Sequence, residues 1–259
     1  MQETSEVYKR LYAGTHRVET RVVIGDIGFL IDNQGDYITF GGTRIVIGRS
    51  GADAGYSESQ LMSVATLGQV FSNNKPEVGC CVSRELDITM LKPAGDIPRM
   101  AQVVPYVRLT NGIEHSEWLQ KGIFYIDTRF SNSDDTSLNI LTMHCYDGML
   151  KAEQDYTGSN LAWPSTDVQV VRDIASLMKV QVEPETIEAI SNQYEVQLPL
   201  GYTCREVLGY IAAMYAGCFI MSDVGELKLI KLNGIPKETR YLVDNAGFTI
   251  TFGGTRITV

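Results

Sequence analysis

Residues 78–93, VGCCVSRELDITMLKP, begin the stretch whose reading decides the fold; residues 97–112 (IPRMAQVVPYVRLTNG), 116–130 (SEWLQKGIFYIDTRF) and 138–153 (LNILTMHCYDGMLKAE) complete it. Each block holds one β-type run. Turn signals separate them at Lys92-Pro93, at Asn111-Gly112 and in the polar segment from Ser131 to Asp135. Short strands at near-regular spacing, punctuated by Gly, Pro and Asn, describe a small antiparallel barrel or sandwich. In the first run Leu86, Ile88 and Met90 alternate with Glu85, Asp87 and Thr89, the pattern of a half-buried strand. Val103, Pro105, Val107 and Leu109 share one face of the second, where Pro105 argues for an edge position or a bulge. No block carries a recognisable catalytic constellation, so the stretch reads as a building element whose function lies in assembly.

Working outward, residues 1–16 open with a short helical or irregular piece, EVYKRLYAG, and 17–25 (RVETRVVIG) read as a first strand. Residues 26–55 are Gly-rich; turn signals at Asp32-Asn33-Gln34-Gly35 and Gly41-Gly42 predict a three-stranded meander of about twenty residues. That meander has a twin. Residues 241–259 align without gaps on 29–47, with twelve of 19 positions identical, including the whole run 38–45, ITFGGTRI. A repeat separated by more than 200 residues is no solenoid period, so it is a duplicated hairpin module or a transplanted segment. If the copies are interchangeable, the first could occupy the sheet edge the second fills, within one chain or between protomers. Residues 56–77 begin with an apolar stripe, Leu61, Val64 and Ala65, that fits a helical turn or two or the beginning of a strand.

After Tyr156 the rhythm changes. TGSNLAWPST reads as a linker, and Thr166-Asp167-Val168-Gln169 has the form of a capping box ahead of an apolar stripe through Val171, Ile174 and Met178. Glu183-Pro184-Glu185 opens a second, short helix. Thr203-Cys204-Arg205-Glu206 caps a third, with Val207, Leu208, Ile211, Met214 and Tyr215 as its buried stripe and Gly217 as its stop. A hairpin turned at Asp223-Val224-Gly225 follows. The expected fold is therefore α+β, mainly β. Residues 1–156 would form an antiparallel barrel with the meander inserted at about 26–55, and 157–259 an α+β domain of two to three helices and hairpins.

Composition narrows the function classes. Hydrophobic residues make up 44% and charged ones 20%, ordinary for a globular chain. A net charge of −9 and the lack of a basic run argue against a dedicated nucleic-acid binder. No apolar stretch approaches the roughly 20 residues a membrane helix needs. The polar start MQETSEVYKRLYAG lacks the centre of a signal peptide, which reads as a soluble cytoplasmic product with no membrane anchor.

Candidate chemistry is thin. Five cysteines, at 80, 81, 145, 204 and 218, match no zinc spacing and no small disulfide scaffold. Reduced, mostly buried thiols are expected, with adjacent Cys80 and Cys81 on opposite strand faces. A metal site from Cys80, Cys81, His144 and Cys145 is set aside on spacing. His144 and Cys145 are strand neighbours and point apart, so they cannot form a nucleophile pair. Glu85 and Asp87 share a face, as a glycosidase pair might, but nothing supplies the other half of such a site. His115, between Glu114 and Glu117, reads as a solvated residue, and Trp118 and Trp163 as packing or interface anchors. Gly41-Gly42 is no phosphate loop, since no lysine and no helix follows. Tyr146-Asp147-Gly148 reads as the corner where the barrel closes. No catalytic, cofactor-binding or metal residue is assigned.

Taken together, VGCCVSRELDITML, SEWLQKGIFYIDTR, HCYDGMLKAEQDY, the helix VQVVRDIASLM, LPLGYTCREVLGYIAAMYAG and FIMSDVGELKLIKL resemble, in order and spacing, the hub or tail-associated proteins of tailed bacteriophages. These sit at the tail tip or baseplate of phages, prophages and tailocins, especially of Gram-positive hosts. The resemblance spans about 75–256 and the N-terminal strand loosely. It implies a structural virion protein, assembled in the host cytoplasm as a homotrimer whose barrels make a pseudo-hexameric ring matching the tail tube. It further implies a lumen that passes DNA and the tape measure protein, contacts to the distal tail protein, a distal spike, receptor-binding or lytic module, no cofactor and no catalysis. Family members would continue past Val259 into further barrel domains, so the resemblance reads this chain as an N-terminal portion or short form. The copy at 29–47 stands where a short connection is expected. A tail-borne cell-wall hydrolase and a carbohydrate-binding adhesin module are the alternative readings.

Overall fold

The computed structural model describes residues 4–25, 28–29, 38–40, 43–44, 46–47, 55–71, 75–93, 97, 100–131, 139–158, 160–190, 194–232, 251–252 and 255–256. Helix α1 (Glu6–Ala13) begins where the Ser5 hydroxyl accepts a hydrogen bond from the Tyr8 amide. The Ser5 amide donates to Glu117 and Arg10 pairs with Glu114, so the helix lies against the turn that follows the long strand of the sheet.

Seven strands make one antiparallel sheet: β1 (Arg17–Ile24), β2 (Leu61–Leu67), β3 (Glu85–Leu91), β4 (Gln102–Thr110), β5 (Leu119–Gln120), β6 (Phe124–Ser131) and β7 (Ile140–Asp147). Their order is β1-β4-β6-β7-β3-β2, with β5 added beside β4. All four blocks of 78–153 supply a strand, and the ambiguous segment after residue 56 supplies β2. Residues 78–84 do not belong to β3, which starts at Glu85, so Cys80 and Cys81 are not strand residues of this sheet. Alternation sorts the faces: Leu86, Ile88 and Met90 of β3 and Leu141, Met143 and Cys145 of β7 join Val22, Val103, Phe124 and Ile126 in one buried cluster.

The expected closed barrel is not seen among the described residues. Edge strand β1 meets the chain ahead of β2 at one bridge, where Val22 and Tyr56 exchange hydrogen bonds of 2.9 and 2.7 Å. The chain then turns, Gln60 and Leu61 bonding back to Ser57, before β2 begins. A single bridge draws the edges together without the continuous ladder that closure requires. Pro105 lies in β4, between β1 and β6. Its partner Val22 spends its amide and carbonyl on Tyr56, so Pro105 owes β1 no hydrogen bond. Its other side faces the gap between the β6 and β5 ladders, where the Lys121 amide donates to the Pro105 carbonyl. A missing N–H is tolerated there.

The second half leaves β7 through a 3-10 turn, Gly148–Glu153, and builds α2 (Asp167–Met178), α3 (Pro184–Ile190), α4 (Cys204–Met214) and the hairpin β8 (Gly217–Met221)–β9 (Leu227–Lys231). Both expected capping boxes form, Thr166 with Gln169 and Thr203 with Glu206. Ile174, Met178, Ile190, Leu208, Ile211 and Phe219 are fully buried in a second cluster. That cluster reaches back to Cys81, Met149, Ala152 and Tyr156. Gly217 is not the helix stop: α4 ends at Met214, Ala216 takes the positive φ of 50°, and Gly217 starts β8. A Cβ at Gly217 would lie 2.6 Å from the Ile230 carbonyl oxygen, so the glycine serves strand pairing.

In the first repeat copy Thr39–Phe40 pairs with Thr43–Arg44, and in the second Thr251–Phe252 pairs with Thr255–Arg256. The register is the same because a two-residue connection sets it locally. Gly28–Phe29 pairs with Val46–Ile47, so the first run of the expected meander meets the third at its start, and the rest of the first run lies outside the described residues. Gly41, Gly42 and the turn at 32–35 lie outside the described residues. The chain is α+β and mainly β.

Candidate functional site

Among the described residues, charged and hydrogen-bonding side chains gather where the two clusters meet. Segment 77–84 runs from the helical half into β3. The Gly79 amide donates to the Gly217 carbonyl (2.8 Å), and the Phe219 amide to the Cys80 carbonyl (2.9 Å). Gly79 has φ +81° and its carbonyl packs on Gly209 of α4, so a Cβ on either glycine would come within 2.9 Å of backbone oxygen. Arg205, in the first turn of α4, donates to the Cys81 carbonyl, to Ser83 Oγ (3.0 Å) and to the Met149 carbonyl (3.1 Å). Its Nε lies 2.8 Å from Glu153.

Arg84 and Asp147 form the other half of the joint. Arg84 Nε faces Asp147 Oδ2 at 3.3 Å, Nη1 pairs with Asp223 at 2.7 Å, and Nη2 donates to the Ser222 carbonyl at 3.0 Å. Its guanidinium also covers the Phe124 ring. Asp147 is 0% exposed and accepts the Met149 amide at 3.0 Å, capping the 3-10 turn. Burial raises its carboxyl above the usual range, with the Arg84 and Met149 amides and the Arg84 charge working against that rise. Gln120 of β5 donates to the Asp223 carbonyl, tying the sheet to the tip of the β8–β9 hairpin.

A cleft of about 330 Å³ opens beside this joint, lined by Arg84, Glu183, Ser222, Asp223 and Lys228 among others. Its charges are already matched, Lys228 with Glu183 at 2.7 Å and Arg84 with Asp223, so the lining holds itself together instead of waiting for a counter-ion. Further buried carboxylates are also structural. Asp173 accepts from Tyr156 (2.9 Å) and Asn160 (3.2 Å), and the Tyr215 hydroxyl lies within hydrogen-bond reach of both Asp167 and the Ile190 carbonyl.

The residues singled out in the sequence are kept apart. Cys145 is in the sheet core, where burial pushes its thiol up to about 12, while His144 lies on the outer face bonded to Asp87 at 2.6 Å and edge-on to Tyr146. Glu85 and Asp87 share that outer face, as their spacing predicts. His115 is exposed, 3.7 Å from Glu19. The guanidiniums of Arg21 and Arg108 both lie over the Trp118 ring, at 4.7 and 4.4 Å from its centre. Trp163 packs edge-on to Tyr156 and donates to the Gly158 carbonyl, pinning the linker. No cluster of three or more His, Cys, Asp or Glu suited to a metal ion occurs among the described residues.

Sequence reasoning placed Asp147 in a chain corner, Arg205 in a helix cap and Asp223 in a hairpin turn, and gave neither these three nor Arg84 a role in joining the halves. For two of them a signal existed. Arg84 continues the buried phase Leu86, Ile88, Met90, and Asp147 continues Leu141, Met143, Cys145, so each charge sits at an inward position of its run. The Asp147 amide bonds to the Arg84 carbonyl, one step beyond the β3–β7 ladder, and the two side chains meet there. Arg205 and Asp223 carried no such mark.

No protein-family model matches the chain, and no curated protein matches its sequence. Similar solved structures include the 43 kDa tail protein of prophage MuSo2 from Shewanella oneidensis, at 13% identity over 92% of this chain, with a TM-score of 0.47. Another is the tail protein from Neisseria meningitidis MC58, at 12% identity over 88% of this chain, with a TM-score of 0.43. The chain spans 62% and 54% of the length of these two structures. Likeness at this level concerns architecture and carries no function across, and neither organism speaks for a Gram-positive host.

Proposed function

We propose that this chain is a structural component of a phage-type tail, built into the virion as the hub at the tail tip or baseplate. One observation carries this reading: the side chains that join the two clusters come from the blocks that bear the resemblance. Arg84 belongs to VGCCVSRELDITML, Asp147 to HCYDGMLKAEQDY, Arg205 to LPLGYTCREVLGYIAAMYAG and Asp223 to FIMSDVGELKLIKL. What those blocks have in common with tail-hub proteins is therefore a framework, and a framework is what a component that transmits load and holds a channel open needs.

In this reading the sheet of residues 1–156 is the barrel unit, its edges drawn together at Val22 and Tyr56, and residues 157–259 form the second domain. Three copies make a ring that matches the tail tube, contacts the distal tail protein, carries a spike or receptor-binding module, and passes DNA and the tape measure protein. The chain needs no cofactor and performs no catalysis. Its net charge of −9 suits a channel wall along which DNA slides, because like charges repel and the phosphates do not adhere. A channel lined by Lys and Arg would contradict that last point.

The test is light scattering coupled to size-exclusion chromatography, negative-stain microscopy, and co-expression with tail-tube and distal tail proteins. Trimers, ring-shaped particles and co-purification are expected. A chain that stays monomeric at high concentration and binds neither protein refutes the hub role. Clearing of purified peptidoglycan in a zymogram would replace it with a hydrolase.

A further inference from the structure

All five cysteines are free and buried, and two of them meet across the joint. Segment 79–81 runs parallel to the start of β8, with Cys81 bridging Phe219 and the Phe219 amide bonded to the Cys80 carbonyl. One residue back from that bridge Cys80 stands opposite Cys218, and strand alternation turns both side chains to the same face. Their sulfurs converge on one acceptor: the Glu77 carbonyl oxygen is 3.7 Å from Cys80 Sγ and 3.1 Å from Cys218 Sγ. Neighbouring strands lie roughly 4.8 Å apart, inside the roughly 4.4–6.8 Å Cα separation that a disulfide spans. Cys81 points the other way, into the helical cluster.

We propose that Cys80 and Cys218 are a dithiol pair that closes to a disulfide when the chain meets an oxidised small-molecule disulfide, locking segment 77–84 to β8 and thereby the sheet to the helical half. The chemistry is thiol–disulfide exchange. Cys80, 8% exposed against 0% for Cys218, meets the reagent first. Its thiolate attacks one reagent sulfur, breaks the reagent's S–S bond and releases one thiol, leaving a mixed disulfide on Cys80. Cys218 then gives up its proton, its sulfur attacks Cys80 Sγ, and the second reagent thiol leaves. Two protein thiols are oxidised by two electrons, and one reagent disulfide is reduced to two thiols. Burial raises the Cys218 thiol, which lowers the fraction of thiolate available for the second step.

The experiment incubates the whole chain with oxidised glutathione, quenches with acid, and maps cross-links by non-reducing digestion and mass spectrometry. A peptide pair joining Cys80 to Cys218 is expected, with loss of two of the five thiols titrated after denaturation. Tm should rise on the order of 5–10 °C and fall back with dithiothreitol. Cys80→Ser and Cys218→Ser should each lose the cross-link and the shift, and the map of the unaltered chain decides the matter even if a variant fails to fold. Survival of all five thiols, glutathione retained on Cys80, or a link through Cys81, Cys145 or Cys204 would each overturn the proposal.

Discussion

Replacing Arg84 with methionine removes the cation that faces Asp147 while keeping an apolar stem over Phe124. Asp147 has no exposure, so its charge would be left with two backbone amides, that of Met149 at 3.0 Å and that of residue 84, and no facing cation. Removing one partner of a buried pair costs about 3–5 kcal/mol. The Arg84 side chain is 18% exposed, so water already weakens the pair and the lower end applies. The expected loss is ~3 kcal/mol, about a hundredfold in the folding equilibrium. The double variant Arg84→Met/Asp147→Leu removes both charges and should return to within ~1 kcal/mol of the parent, the residue being the lost bonds to Asp223 and Ser222. Urea unfolding followed by circular dichroism at pH 7 measures both. The pH dependence has a definite sign. A carboxyl whose folded pKa exceeds its unfolded one adds stability below the unfolded value and loses that advantage as pH rises through the folded value. Burial already raises Asp147, and losing Arg84 raises it further. The deficit of the single variant should therefore be largest at neutral pH and shrink as pH falls toward the ordinary carboxylate range. A cost below ~1 kcal/mol, a deficit independent of pH, or a double variant no better than the single would show that the pair does not hold the joint.

Three further outcomes are expected. Gly209→Ala gains up to ~1 kcal/mol of helix propensity, but its Cβ would lie 2.8 Å from the Gly79 carbonyl oxygen, so the clash should win, with a net loss of ~1–3 kcal/mol in the same unfolding assay. Thr203→Ala removes the hydroxyl that caps α4 and should cost ~1 kcal/mol, while Thr203→Ser should cost little. Burial pushes the Cys81 and Cys145 thiols up to about 12, so iodoacetamide at pH 8 should leave both unlabelled in the folded chain and label both in urea, as read by peptide mass. Rapid labelling of either in the folded chain would contradict their burial.

What the sequence by itself determined rests on local periodicity and on helix N-terminal caps. Alternation at Leu86, Ile88 and Met90 announces which face of β3 is buried, Thr166-x-x-Gln169 and Thr203-x-x-Glu206 announce two helix starts, and the ITFGGTRI run announces one hairpin register in both copies, because each rests on residues a few positions apart. The edge between strand and loop at residues 78–84 was not legible, since an apolar run reads the same whether its partner is a sheet or a helix. Nor was the helix stop, where Ala216 takes the positive φ and Gly217 is needed for close strand approach. Tertiary structure alone decided the joint. Arg84 meets Asp223, and Arg205 meets the Cys81 carbonyl, across well over a hundred residues of chain. It also decided that β1 reaches the chain before β2 by one bridge, so that a pattern of regular strands ends as a sheet with drawn-in edges. Pairing between distant segments depends on loop closure and on shared burial, and a single sequence carries no local trace of either beyond a charge standing on a buried phase.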